Sequence, residues 1–197
     1  MSTDAVHHTE HPDSGSKVIF GFWIFILTDF IVFAALFATY GVLHNNTYGG
    51  LSIKEIVDLP YALLQSLIFL ASSLSVGLSI VALKKQQKKS VFKWLLLSFL
   101  LGFTFVGLEY NEFAKIIQYG YSWQSSGFLS AFFTLVGLQG LHVIIGLLWM
   151  IILAVQVGIK GLHPTMPVKF ACMGLFWDFL NIIWIFIFSM VYLMGAL

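Results

Sequence analysis

The sequence predicts an all-α integral membrane protein: one bundle of five transmembrane helices, with the N-terminus cytoplasmic and the C-terminus periplasmic. Of 197 residues, 59% are apolar and only 10% charged. A soluble domain carries about 25% charged residues, so this chain cannot coat a water-facing surface. The apolar residues fall in five long runs, and five spans of about 20 residues take about 100 positions. That leaves short loops and no room for a soluble catalytic domain. Lysine placement sets the orientation, because cytoplasmic loops collect positive charge. Lys17, Lys84, Lys85, Lys88, Lys89, Lys93, Lys160 and Lys169 fall on one side of the predicted bundle, and only Lys54 and Lys115 on the other.

Each element follows from the order of residues. Residues 1–16 are polar and read as a disordered tail, in which His7, His8, Glu10 and His11 form a solvated group rather than a metal site. Residues 17–197 form the membrane domain. The first span covers about 18–43, with Asp29 its only charged residue. No small-residue cleavage pattern follows it, so it is expected to stay in the mature chain. A turn-rich stretch, Asn45 to Gly50, precedes a short amphipathic piece with Lys54, Glu55 and Asp58; Asn45-Asn46-Thr47 is a sequon match of low specificity. Pro60 opens the second span, 61–83, in keeping with the preference of proline for a helix start. Ser72, Ser75, Ser79 and Ala82 of that span lie on one face, where small side chains let another helix come close. The lysine-rich run from Lys84 to Lys89 ends it.

The third span, 91–118, carries Glu109, Glu112 and Lys115 toward its end. Glu112 is expected at the interface, solvated and screened by Lys115 three residues on. The fourth span, 127–157, has His142 as its only ionisable group, and the fifth, 170–196, contains Asp178. No internal repeat or linker divides the chain, which reads as a single domain.

Composition also excludes functions. The net charge is +1 and all ten basic residues are lysine; phosphate recognition favours the arginine fork, so nucleic-acid binding is not expected. The one cysteine, Cys172, has no partner for a disulfide or thiolate metal site and reads as a small residue in an apolar helix.

The polar groups inside the spans are the candidates for function. A carboxyl near the bilayer centre costs roughly 2.5–3.5 kcal/mol, so Asp29, Glu109 and Asp178 require partners. Helix rise places Asp29, Gln139, His142 and Asp178 at comparable depths in the inner half of the bilayer. Gln139 and His142 share a face at i,i+3, as do Asp178 and Asn181. These residues are expected to form one hydrogen-bonded cluster, with Glu109 apart toward the outer side. Such a cluster can relay protons or join helices, and interhelical hydrogen bonds are an ordinary packing device in lipid. A lone intramembrane histidine cannot pair to hold a haem, so neither a metal nor a catalytic site is expected in this chain.

The run Gly137 to Gly146 (GLQGLHVIIG), together with Phe176 to Trp184 (FWDFLNIIW), resembles subunit III of the haem–copper oxidases. Gly21 to Phe25 with Asp29, Gly107 to Phe113, Ser126 to Phe133 and Val191 to Gly195 fit the same family, so the resemblance runs from Lys17 to the end. Five spans rather than seven are similar to the subunit of bacterial quinol oxidases of the cytochrome bo type. The resemblance implies a non-catalytic subunit without cofactors, in a bacterial inner membrane, packed against subunit I and phospholipid. The other subunits would hold two haems, one copper and a quinone. The whole complex would oxidise quinol, reduce oxygen to water and pump protons; a menaquinol oxidase relative fits the resemblance as well as a ubiquinol oxidase, since the quinone site lies on another subunit. His142 and the carboxylates at Asp29 and Glu109 match the family pattern. Gln139 and Asp178 stand where the family usually has histidine, and Asn181 where it usually has aspartate. Every position stays polar, which preserves hydrogen bonding better than it preserves a defined proton path.

The rival reading is a small proton-coupled carrier using Asp29, His142 and Asp178. Carriers usually show repeated halves or broken helices near the midplane, and the sequence shows neither.

Overall fold

The computed structural model describes residues 14–47 and 58–196. Five long helices account for nearly all of them: α1 (Ser14–Leu43), α2 (Leu59–Lys84), α3 (Lys88–Gln118), α4 (Gly127–Lys160) and α5 (Met166–Ile187). A π-helical turn, Phe188–Leu193, carries α5 on to a last turn, Met194–Ala196. All five are long and apolar enough to cross a membrane, and no strand occurs among the described residues.

The helices outrun the apolar stretches that mark them in the sequence. Ser14–Lys17 begins α1, Lys88–Ser90 begins α3 and Met166–Lys169 begins α5. Polar residues and lysines at a helix end are tolerated in the interface even where they could not lie in lipid. Residues 14–16, expected in the tail, are therefore helical, and the tail histidines lie outside the described residues, as does Lys54.

Local chemistry fixes the ends. Asp58 Oδ1 accepts the Tyr61 amide, with Pro60 in the first turn of α2. Ser126 Oγ accepts the Leu129 amide at 3.1 Å to start α4, and Gly161, at φ +69°, closes it in a conformation that favours glycine. The α2–α3 turn needs only Lys85, Gln86 and Gln87, with Gln86 at φ 58°.

α5 is the hub of the bundle, packing against α1, α2 and α4, while α2 pairs with α3 and α3 with α4. Some 67% of the most apolar stretch of α5 is buried, against 11% for α1, which touches mainly α4 and α5. The small-residue face of α2 is fully used: Ser72, Ser75, Ser79 and Ala82 are all buried. Ser72 and Ser98 form a reciprocal clasp between α2 and α3, each hydroxyl donating to the other's backbone carbonyl at 2.9 Å.

The α5 tryptophans lock onto this face. Trp177 Nε1 donates to Ser72 Oγ at 3.1 Å, and Trp184 Nε1 to Ser66 Oγ at 2.9 Å. The Trp177 indole lies between two glycine backbones. A Cβ at Gly146 would meet its Cζ3 at 2.6 Å, and a Cβ at Gly102 its Cζ2 at 2.9 Å. Phe69 packs edge-on against it at 5.5 Å between ring centres. Small residues on three helices thus form a socket for one ring, as expected where dispersion rather than hydrophobic exclusion drives association.

Candidate functional site

Asp29 and His142 meet across α1 and α4, with His142 Nε2 3.2 Å from Asp29 Oδ2. Both lie near the midpoints of their helices, and their side chains keep 16% and 15% exposure. His142 Nδ1 is 2.8 Å from the Leu138 carbonyl. A carbonyl oxygen only accepts, so Nδ1 bears the hydrogen and Nε2 is left to face the carboxyl. The contact is close but off-axis for a hydrogen bond, and Asp29 Oδ2 has no aligned donor. Phe33 and Phe176 flank the imidazole, with ring centres at 5.4 and 6.5 Å.

The other expected members of that cluster bond elsewhere. Gln139 is fully buried, and its Nε2 donates to the Leu180 carbonyl of α5 at 2.9 Å. Asn181 Nδ2 donates at 3.1 Å to the carbonyl of Trp177 on its own helix. Asp178 is exposed, and its Oδ1 accepts the Ser73 hydroxyl of α2. The five residues thus form four separate sets of contacts instead of one network. The reason is the rotation of α5, which turns Trp177 and Asn181 inward and Asp178 outward. A carrier site would need Asp29, His142 and Asp178 together, and only the first two meet.

Glu109 and Glu112 define a second polar locus, nearer the end of α3. Glu112 is only 7% exposed, and Tyr192 donates its hydroxyl to Glu112 Oε2 at 3.0 Å. This corrects the expectation of a solvated Glu112. α2 and α5 close over that face of α3, and the buried Gln65 amide lies beside the same carboxyl. Glu109 is 3% exposed and presses on α4 where Gly140 leaves room, since a Cβ there would sit 2.7 Å from Glu109 Oε2. Glu109 Oε1 and both polar atoms of Gln65 lack protein partners. Tyr192 stands in the π-helical turn, whose extra residue per turn re-aims side chains. No sequence pattern marks that turn, so the Tyr192–Glu112 contact was not legible, and neither were the roles of Ser66, Ser72, Trp177 and Trp184.

Among the described residues, no group of three or more His, Cys, Asp or Glu could hold a metal ion. Cys172 is buried and unpaired. What the polar side chains of the interior do in this structure is join helices.

The family profile described as cytochrome c oxidase subunit III matches residues 1–196. A cytochrome bo(3) ubiquinol oxidase subunit 3 from Pseudomonas aeruginosa is 47% identical over 190 residues, covering 96% of this chain and 91% of the relative. The protein of the same description from Pseudomonas putida is 43% identical over 185 residues, covering 94% and 89%. A quinol oxidase subunit 3 from Bacillus spizizenii is 37% identical over 200 residues, covering 96% and 98%. With its whole length matched and its five spans in place, the chain belongs to the cytochrome c oxidase subunit III family.

Proposed function

We propose that this chain is the non-catalytic subunit III of a proton-pumping quinol oxidase, which couples quinol oxidation to reduction of oxygen to water. The observation that carries the reading is full-length similarity to quinol oxidase third subunits, joined to a polar interior built as helix-to-helix contacts. Redox chemistry then belongs to the haems, copper and quinone of other subunits. Its role is to stabilise subunit I and the surrounding phospholipid from within a bacterial inner membrane. The lysine distribution supports a cytoplasmic N-terminus and a periplasmic C-terminus.

Affinity purification of the chain in mild detergent tests this. Co-purified haem-bearing subunits, seen in the visible spectrum, are the expected result. A colourless chain surviving alone in several detergents would overturn the reading.

A further inference from the structure

Asp178 is an outward-facing carboxyl near the middle of a helical run long and apolar enough to cross a membrane. It lies twelve residues from Met166, about 18 Å by helix rise, within a helical run of 28 residues. Ser73, its partner, is likewise near the middle of α2. Ionisable groups at this depth face a bundle interior, a water-filled cavity or another protein, because lipid tails offer no hydrogen bonds. The other polar side chains at this level of α5, Trp177, Asn181 and Trp184, are buried, and Asp178 alone is exposed.

The Ser73 hydroxyl supplies one donor, whereas a carboxylate accepts about four. No second donor to it occurs among the described residues. Among the described residues the lysines lie toward helix ends, and the His142 imidazole faces Asp29. The surrounding surface suits a close helix. Gly77, one turn beyond Ser73, is exposed, and a Cβ there would meet nothing within 4 Å. Leu70, Leu74, Ile182 and Ile185 provide exposed apolar area on either side. Aromatic contacts of Phe33 with Phe179 and Phe37 with Phe186 keep α1 on the opposite flank of α5, so this face stays open.

We infer that the α2–α5 face around Asp178 and Ser73 seats a transmembrane helix of another oxidase subunit, one that presents a cation or N–H donor to Asp178 at mid-membrane depth. The inference rests on the proposed oxidase role and adds the face and the chemistry of the partner. A second copy of this chain is a poor occupant, because a two-fold contact there would oppose two aspartates. The α3–α4 surface is of another kind: its groove, about 440 Å³, is lined by apolar side chains such as Phe92, Leu96, Met150 and Ile151, and suits lipid tails.

The test is photocrosslinking within the intact complex. A photoreactive residue replaces Leu74 or Ile182 on the α2–α5 face, or Phe103 or Ile151 on the α3–α4 side. Crosslinks to another oxidase subunit from positions 74 and 182, at least fivefold above those from 103 and 151, are expected. In the same purification, Asp178→Leu should lower retention of the chain in the complex severalfold. Crosslinks to a partner from 103 and 151 alone, to lipid or a second copy alone from 74 and 182, or normal retention of Asp178→Leu would each overturn the inference while the haem-bearing complex upholds the oxidase reading. Failure of any haem-bearing subunit to co-purify with the unaltered chain would overturn that reading, and this inference with it.

Discussion

Gly146→Ala is expected to loosen the centre of the bundle, and the structure sets the size of the effect. The new methyl carbon would sit 2.6 Å from Trp177 Cζ3, 3.0 Å from Cε3 and 3.3 Å from Phe176 Cε1. Ordinary carbon contacts are about 3.5–4.0 Å, so the indole must retreat by about 1 Å. It has nowhere to go, because Gly102 lies against its other side and Trp177 is 0% exposed. Overpacking of this kind costs about 1–3 kcal/mol. Pulling Nε1 away from Ser72 Oγ adds about 0.6 kcal/mol, the mean for interhelical hydrogen bonds in a membrane. Gly107→Ala is the control: nothing lies within 4 Å of that Cβ, and helix propensity favours alanine by up to about 1 kcal/mol. Reversible unfolding in mixed micelles should separate the two variants by several degrees in Tm. Adding Trp177→Phe to Gly146→Ala should recover part of the loss, because the smaller ring vacates the contested position. Equal stability of the Gly146 and Gly107 variants would refute the socket, and strictly additive effects in the double variant would show that Gly146 acts through something other than Trp177.

Ser72→Ala leaves Trp177 Nε1 without an acceptor and breaks half of the clasp with Ser98; unfolding should show a loss of about 1–2 kcal/mol, and a Ser72→Ala/Trp177→Phe cycle should reveal coupling between the sites. Tyr192→Phe removes the donor to Glu112 and is expected to destabilise by about 1 kcal/mol without change in the haem spectrum of the complex, measured by unfolding and visible absorption. Glu109→Gln keeps the volume beside Gly140; assembly should be intact on native gels, with any effect confined to how long turnover is sustained. Loss of the chain from the complex in that variant would mark Glu109 as a structural group.

The fold was legible because hydrophobic runs of membrane length leave few alternatives, and Pro60 and the lysine run 84–89 bound the second of them clearly. Pairing of polar groups was legible only in part. Helical spacing ranks Ser72, Ser75 and Ser79 together on one face, and that face is buried as a unit. It cannot give the rotation of α5 relative to its neighbours, which decides that Asn181 is buried while Asp178 is exposed. Depth alone brought Asp29, His142 and Asp178 to one level, yet equal depth on three helices does not mean a shared side. Glu112 was misplaced because a carboxylate two turns from a helix end reads as interfacial, and only the π-helical turn that brings Tyr192 over it makes it a buried group.

The proposed role of this chain is to support an oxidase whose electrons run through other subunits. Stripping the chain from the purified complex with a harsher detergent, then following haem reduction by quinol and the first turnovers with oxygen, tests it most directly. Normal haem reduction and normal initial oxygen uptake, followed by faster loss of activity or of stability, is the expected result. Immediate loss of electron transfer from quinol to the haems, with subunit I still folded and its haem spectrum unchanged, would contradict it.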